Sequence, residues 1–99
     1  MRILVVDDEP DVAALVAMGI RYQRPEHQVT EVHDGDAALE AIARDRPDVV
    51  VLDLAMPGKD GFTVLRELRD GGEDVPVIVL TAKGLETDKV RGLELGADD

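Results

Sequence analysis

Ninety-nine residues, 44% of them apolar and 33% charged, suit one small folded domain rather than a disordered chain. A net charge of −11 repels nucleic-acid phosphates and anionic lipid, so this segment is expected to bind neither nucleic acid nor a membrane. The lack of cysteine excludes a disulfide framework and a thiolate site; Met1-Arg2 opens an apolar run too short for a signal peptide or a membrane span, so the expected location is the cytoplasm.

The first predicted strand, Ile3-Leu4-Val5-Val6, runs into Asp7-Asp8. Asp8 and Pro10 then read as a helix start, because an aspartate can cap free amides and a proline early in a helix loses no hydrogen bond. Val12, Leu15, Val16, Gly19 and Ile20 recur at helical spacing and are expected to face the core, with Gly19 allowing close packing on the sheet. Pro25 ends that pattern, and Gln28 to His33 mixes β-branched with polar residues, as a half-exposed edge strand does. Asp36 to about Arg46 forms a second helix with Ala38, Leu39, Ile42 and Ala43 inward.

The most apolar stretch is Asp48-Val49-Val50-Val51-Leu52-Asp53, a central strand buried on both faces that delivers Asp53 to a rim of the sheet. Met56-Pro57-Gly58 follows with turn chemistry. A third helix carries Phe62, Val64, Leu65 and Leu68 and stops at Gly71-Gly72. Val77-Ile78-Val79-Leu80 is the fourth strand and ends at Thr81; the last helix, with only Val90 and Leu93 as a stripe, is the least firmly held.

Alternating strands and helices call for an α/β, doubly wound parallel sheet, with the strand Gln28 to His33 beside the first strand and the central strand on its other side. Ligands bind beyond the carboxyl ends of such strands, where Asp7, Asp8 and Asp53 would meet. Like charges about 4 Å apart repel by about 4 kcal/mol at an effective dielectric near 20, and a hard divalent cation removes that penalty. Magnesium, with manganese as a substitute, suits an oxygen donor set; zinc does not, with no cysteine and two scattered histidines. A cation beside Asp53 would let its carboxylate attack a phosphoryl group, and the Thr81 hydroxyl could hydrogen-bond a phosphoryl oxygen.

Asp7-Asp8, Asp53 with Met56-Pro57-Gly58 and Asp60-Gly61, Thr81-Ala82, and Gly96-Ala97-Asp98-Asp99 together resemble the receiver domain of two-component response regulators. The resemblance spans Arg2 to Asp99. It implies a flavodoxin-like sheet of order 2-1-3-4, Asp53 as phosphoacceptor, Asp7, Asp8, Asp53 and the Ala55 carbonyl as magnesium ligands, and Thr81 as the switch hydroxyl. It also implies a sensor histidine kinase docking on Pro10 and the outer face of the first helix (Asp11, Ala14, Met18), and an effector domain beyond the C-terminus. The family continues with an aromatic switch residue, a fifth strand ending in a lysine and a fifth helix; residues 1–99 are therefore expected to be a C-terminally incomplete receiver domain. Lys59 and Lys83 lie in loops at the same rim but do not match that lysine. An uncovered fourth strand would favour association of copies. The alternative is a magnesium-dependent aspartyl-phosphate phosphohydrolase, which would want a second acid two residues after the nucleophile, where this sequence has Ala55. A flavodoxin-like cofactor binder would want a phosphate-binding loop after the first strand, where this sequence has Asp7-Asp8-Glu9.

Overall fold

The computed structural model describes residues 1–80, in which strand and helix alternate: β1 (Arg2–Val6), α1 (Pro10–Gln23), β2 (Gln28–Val32), α2 (Gly35–Asp45), β3 (Val49–Asp53), α3 (Gly61–Asp70) and β4 (Val77–Leu80). All strand pairings are parallel and the order is β2-β1-β3-β4, the doubly wound arrangement expected from the sequence. Thr81, Lys83, the expected last helix and the terminal Asp98-Asp99 lie outside the described residues.

The period of two along each strand divides the core between the sheet's faces. Leu4, Val6, Val50 and Leu52 pack with Ala38, Ala41 and Ile42 of α2 and Val64, Leu65 and Leu68 of α3. Ile3, Val5 and Val51 point the other way, toward Ala13 of α1, with Val16 and Ile20 beside it. Helices on both faces explain why β1 and β3 are unbroken apolar runs, since each alternate residue is buried against a different layer. β2, at the edge, exposes Gln28 and Thr30 and half-buries Val29 and Val32.

The core-facing side of α1 differs in part from expectation: Val16 and Ile20 pack on the sheet as predicted, but Leu15 and Gly19 do not. Ala13 and Ala17 are its buried residues, whereas Leu15 is 68% exposed and Gly19 is exposed with no atom within 4 Å of where a Cβ would lie. Both choices of face keep the 3.6-residue period, but small alanines against the sheet let the helix lie close, which turns the larger Leu15, Met18 and Tyr22 outward. Gly19 plays no part in packing. Asp8 does not cap this helix: the N-cap is Glu9, which makes no side-chain cap bond, and Asp7 Oδ1 instead accepts the Glu9 N–H at 2.9 Å. The cap falls one residue after the predicted Asp8, and the helix starts at Pro10, where the Asp7 side chain holds the Glu9 N–H.

In α2, Asp34 Oδ1 accepts the Ala37 N–H at 2.7 Å, an N-cap bond. Ala41 is buried with Ala38 and Ile42, Leu39 is half-buried against the same cluster, and Ala43, expected inward, is exposed. The stripe follows i, i+3, i+4 from Ala38, which passes over position 43. Arg46 in the left-handed region ends the helix ahead of Pro47. Asp60 caps α3 by accepting the Thr63 N–H at 2.8 Å, and Gly71 closes it, as expected.

Candidate functional site

Parallel β1 and β3 end side by side, so their last residues share one rim of the sheet. Asp7 follows β1 directly, and its N–H still donates to Val32 O at 3.1 Å, which carries the pairing with β2 one residue past the strand. Its side chain, turned back to Glu9 N, is only 7% exposed. Asp53, the last residue of β3, is also 7% exposed, and its Oδ1 accepts the Ala55 N–H at 3.2 Å. Asp53 ends its strand at the rim, as the sequence predicts, but its side chain is largely buried there rather than open to solvent. Asp8, half-buried, completes a trio in which one carboxylate oxygen from each residue lies within 4.8 Å of the other two.

No ion pair among the described residues reaches this trio. Burial pushes the Asp53 carboxyl above its ordinary 3.8; the Ala55 N–H opposes this, and the charges of Asp7, Asp8 and Glu9 add to it. Three hard oxygen donors, two of them buried and none with a cationic partner among the described residues, match what a small divalent ion requires and give a soft metal nothing to hold.

The predicted site residues thus fall as follows. Asp7, Asp8 and Asp53 are brought together, Ala55 is exposed beside Asp53 and supplies its N–H, and Thr81 lies outside the described residues. Lys59 stands in the following loop, paired with Asp36 and Glu67 rather than with the trio. Sequence reasoning used Asp60-Gly61 only as part of the resemblance and gave Gly61 no structural role: a Cβ there would lie 2.7 Å from Leu54 Cα and collide with the Asp53 carbonyl, so only glycine lets α3 start against the end of β3. The signal for it was the Asp60-Gly61 pair after the turn. His33, a surface residue as its sequence context suggests, has its Nδ1 3.2 Å from the Asp7 carbonyl oxygen, a contact the sequence did not indicate.

The comparisons with known proteins agree with this geometry. A family model described as the response regulator receiver domain matches residues 3–99. Response regulator MprA of Mycobacterium avium (strain 104) is 46% identical over 99 residues, which are all of this chain and 42% of that protein. The chain therefore spans less than half the length of such curated relatives. Among solved structures, the BeF3-activated N-terminal receiver domain of Klebsiella pneumoniae RstA is similar with a TM-score of 0.90 at 38% identity, over 100% of this chain and 82% of that one. The receiver domain of the Francisella response regulator 1452 gives a TM-score of 0.88 at 34% identity, covering 99% and 79%. Fold, acidic trio and sequence thus converge, and the chain belongs to the response regulator receiver domain family.

Proposed function

We propose that the chain is the phosphoacceptor switch of a two-component system, taking a phosphoryl group from a sensor histidine kinase onto Asp53 with magnesium bound at Asp7, Asp8, Asp53 and the Ala55 carbonyl. The observation that carries this reading is the convergence of two buried carboxylates and a half-buried third at one sheet rim with no cationic partner among the described residues. When bound, the cation would offset both the carboxylate charges and those of the incoming phosphoryl oxygens.

The protein's own groups set up the rest. Ala55 N–H holds Asp53 Oδ1, which leaves the second carboxylate oxygen to attack phosphorus. The new O–P bond forms as the P–N bond to the donor histidine breaks, and the released imidazole nitrogen takes up a proton. Thr81 is proposed to donate its hydroxyl to a phosphoryl oxygen. The chain acts on itself: transfer and later hydrolysis are assisted by its own carboxylates rather than by turnover of a separate substrate, and Ala55 leaves no general acid at the position a phosphohydrolase would use. That the RstA receiver is found BeF3-activated supports the reading, since beryllofluoride has the charge and shape of a phosphoryl group.

The kinase is proposed to dock at Pro10 and the outer side of α1, where Asp11 and Met18 are exposed. An effector domain outside residues 1–99 belongs to the same proposal, supported by the greater length of the relatives. So does self-association through β4, the end of the described sheet order. So does a cytoplasmic location; no helix among the described residues is long and apolar enough to cross a membrane.

Treatment with a small phosphodonor and magnesium, followed by mass spectrometry of the parent and of Asp53→Asn, tests the assignment. A phosphoryl adduct on the parent alone is expected, and equal labelling of both overturns it.

A further inference from the structure

Between Asp53 and α3 the chain makes a short loop from Leu54 to Asp60, and it is fastened at three places. Gly61 N–H donates to Leu54 O at 3.2 Å across its base, and Met56 is buried in the core beneath it. The third fastening is Lys59, whose ammonium lies 3.1 Å from Asp36 Oδ1 in the first turn of α2 and 2.7 Å from Glu67 Oε2 on α3. Both carboxylates hold the ammonium firmly protonated, Glu67 more than Asp36. The fit beneath it is close: a Cβ on Gly35 would lie 2.6 Å from the Lys59 carbonyl oxygen and 2.8 Å from its Cγ. The loop tip therefore rests directly on the start of α2.

We propose that Lys59 is a positioning residue, clamping the loop tip between α2 and α3 so that the Ala55 backbone is held in place for the cation and for Asp53. The proposal rests on the functional reading above, because Ala55 matters only if a cation is bound there. Ion pairs this exposed contribute little to overall stability, so loss of the clamp leaves the fold standing. It widens the set of loop conformations, and apparent affinity falls with the fraction of chains in the competent one. The sign separates this from a simple charge effect. Removing a positive charge near an acidic site strengthens cation binding through the field, whereas removing a clamp weakens it.

Magnesium titration by calorimetry on the parent, Lys59→Met and Lys59→Arg provides the test, alongside Asp53 labelling at limiting and saturating magnesium. Lys59→Met is expected to weaken magnesium binding by about 3- to 10-fold and to slow labelling at limiting magnesium, with the rate restored at saturation, while Lys59→Arg keeps the parent's affinity. Unchanged or tighter binding by Lys59→Met overturns the clamp. Should that variant melt below the assay temperature, the exchange Lys59→Glu with Glu67→Lys decides. Affinity recovered relative to Lys59→Glu alone supports the clamp, and no recovery overturns it. A parent that binds no magnesium overturns the functional reading itself, a result distinct from a parent that binds and a variant that matches it.

Discussion

The two ends of the sheet are built on opposite electrostatic principles. At the amino end of β1 and β3 Asp48 and Arg2 are both hydrogen-bonded: Arg2 N–H donates to Asp48 Oδ2 at 2.6 Å and the Arg2 guanidinium to the Asp45 carbonyl at 2.8 Å. At the carboxyl end the same strands gather Asp7, Asp8 and Asp53, to which no cation among the described residues is ion-paired. The strands between are alike in composition and burial, so the contrast does not come from the core. It sets a region whose polar groups are paired against one where a carboxylate repulsion is left that a bound cation could relieve.

The sharpest way to break that contrast is Asp8→Ala at the repulsive end. Two charges at 4.8 Å repel by about 3 kcal/mol at an effective dielectric near 20, less whatever solvent screens at the half-buried Asp8. Asp8 makes no cap bond to α1, so no lost cap offsets the relief, and the magnesium-free variant is expected to melt at or above the parent. The parent should gain about 2.7 kcal/mol from magnesium at a hundred times its Kd, and the variant much less at that concentration. Equal gains in thermal melts would remove Asp8 from the ligand set.

Gly61→Ala strikes the backbone on which this end is built. With Leu54 Cα 2.7 Å from the added methyl, a loss of about 1–3 kcal/mol is expected in denaturant melts, together with weaker magnesium binding as Asp53 is displaced. A variant of parental stability would mean that α3 can start elsewhere. Asp48→Ala probes the satisfied end, where one hydrogen bond of about 0.5–1 kcal/mol is lost. Its magnesium affinity should equal the parent's, and a change there would show that the two ends are coupled.

The smallest expected effect is on pH. Because folded Asp53 holds its proton more tightly than the unfolded chain, that proton contributes stability fully present below pH 3.8 and lost as pH rises through the raised folded value. Without magnesium, the parent should lose stability relative to Asp53→Asn on going from about pH 4 to pH 7. A constant difference between the two melts would show that burial does not disfavour the Asp53 charge.

How much of this was legible in the sequence follows from what each residue depends on. β4 falls on Val77–Leu80 as expected, and β3 begins one residue later than read, because β-branched runs between breakers leave little choice. The acidic trio was legible too, since parallel strands must end on one rim. The rotation of α1 was not: Val12-Leu15-Val16 and Ala13-Val16-Ala17 share a period, and closeness to the sheet chose the smaller side chains. Nor was the start of α1, because which of Asp7 and Asp8 turns back on the Glu9 N–H depends on the backbone direction after Val6. The pairing of Lys59 depends on α2 and α3 lying side by side at the rim, a tertiary fact that no local pattern contains.

The outward face of α1 has an optical consequence. Tyr22 is the chain's one tyrosine, there is no tryptophan, and Tyr22 is 89% exposed near the end of the helix that leads away from Asp7. At about 1.5 Å of rise per residue it stands about 18 Å along the helix from Pro10. Its emission is already that of a phenol in water, so ultraviolet fluorescence will scarcely register what happens around Asp53, and a chromophore introduced near that rim will report against an almost dark background.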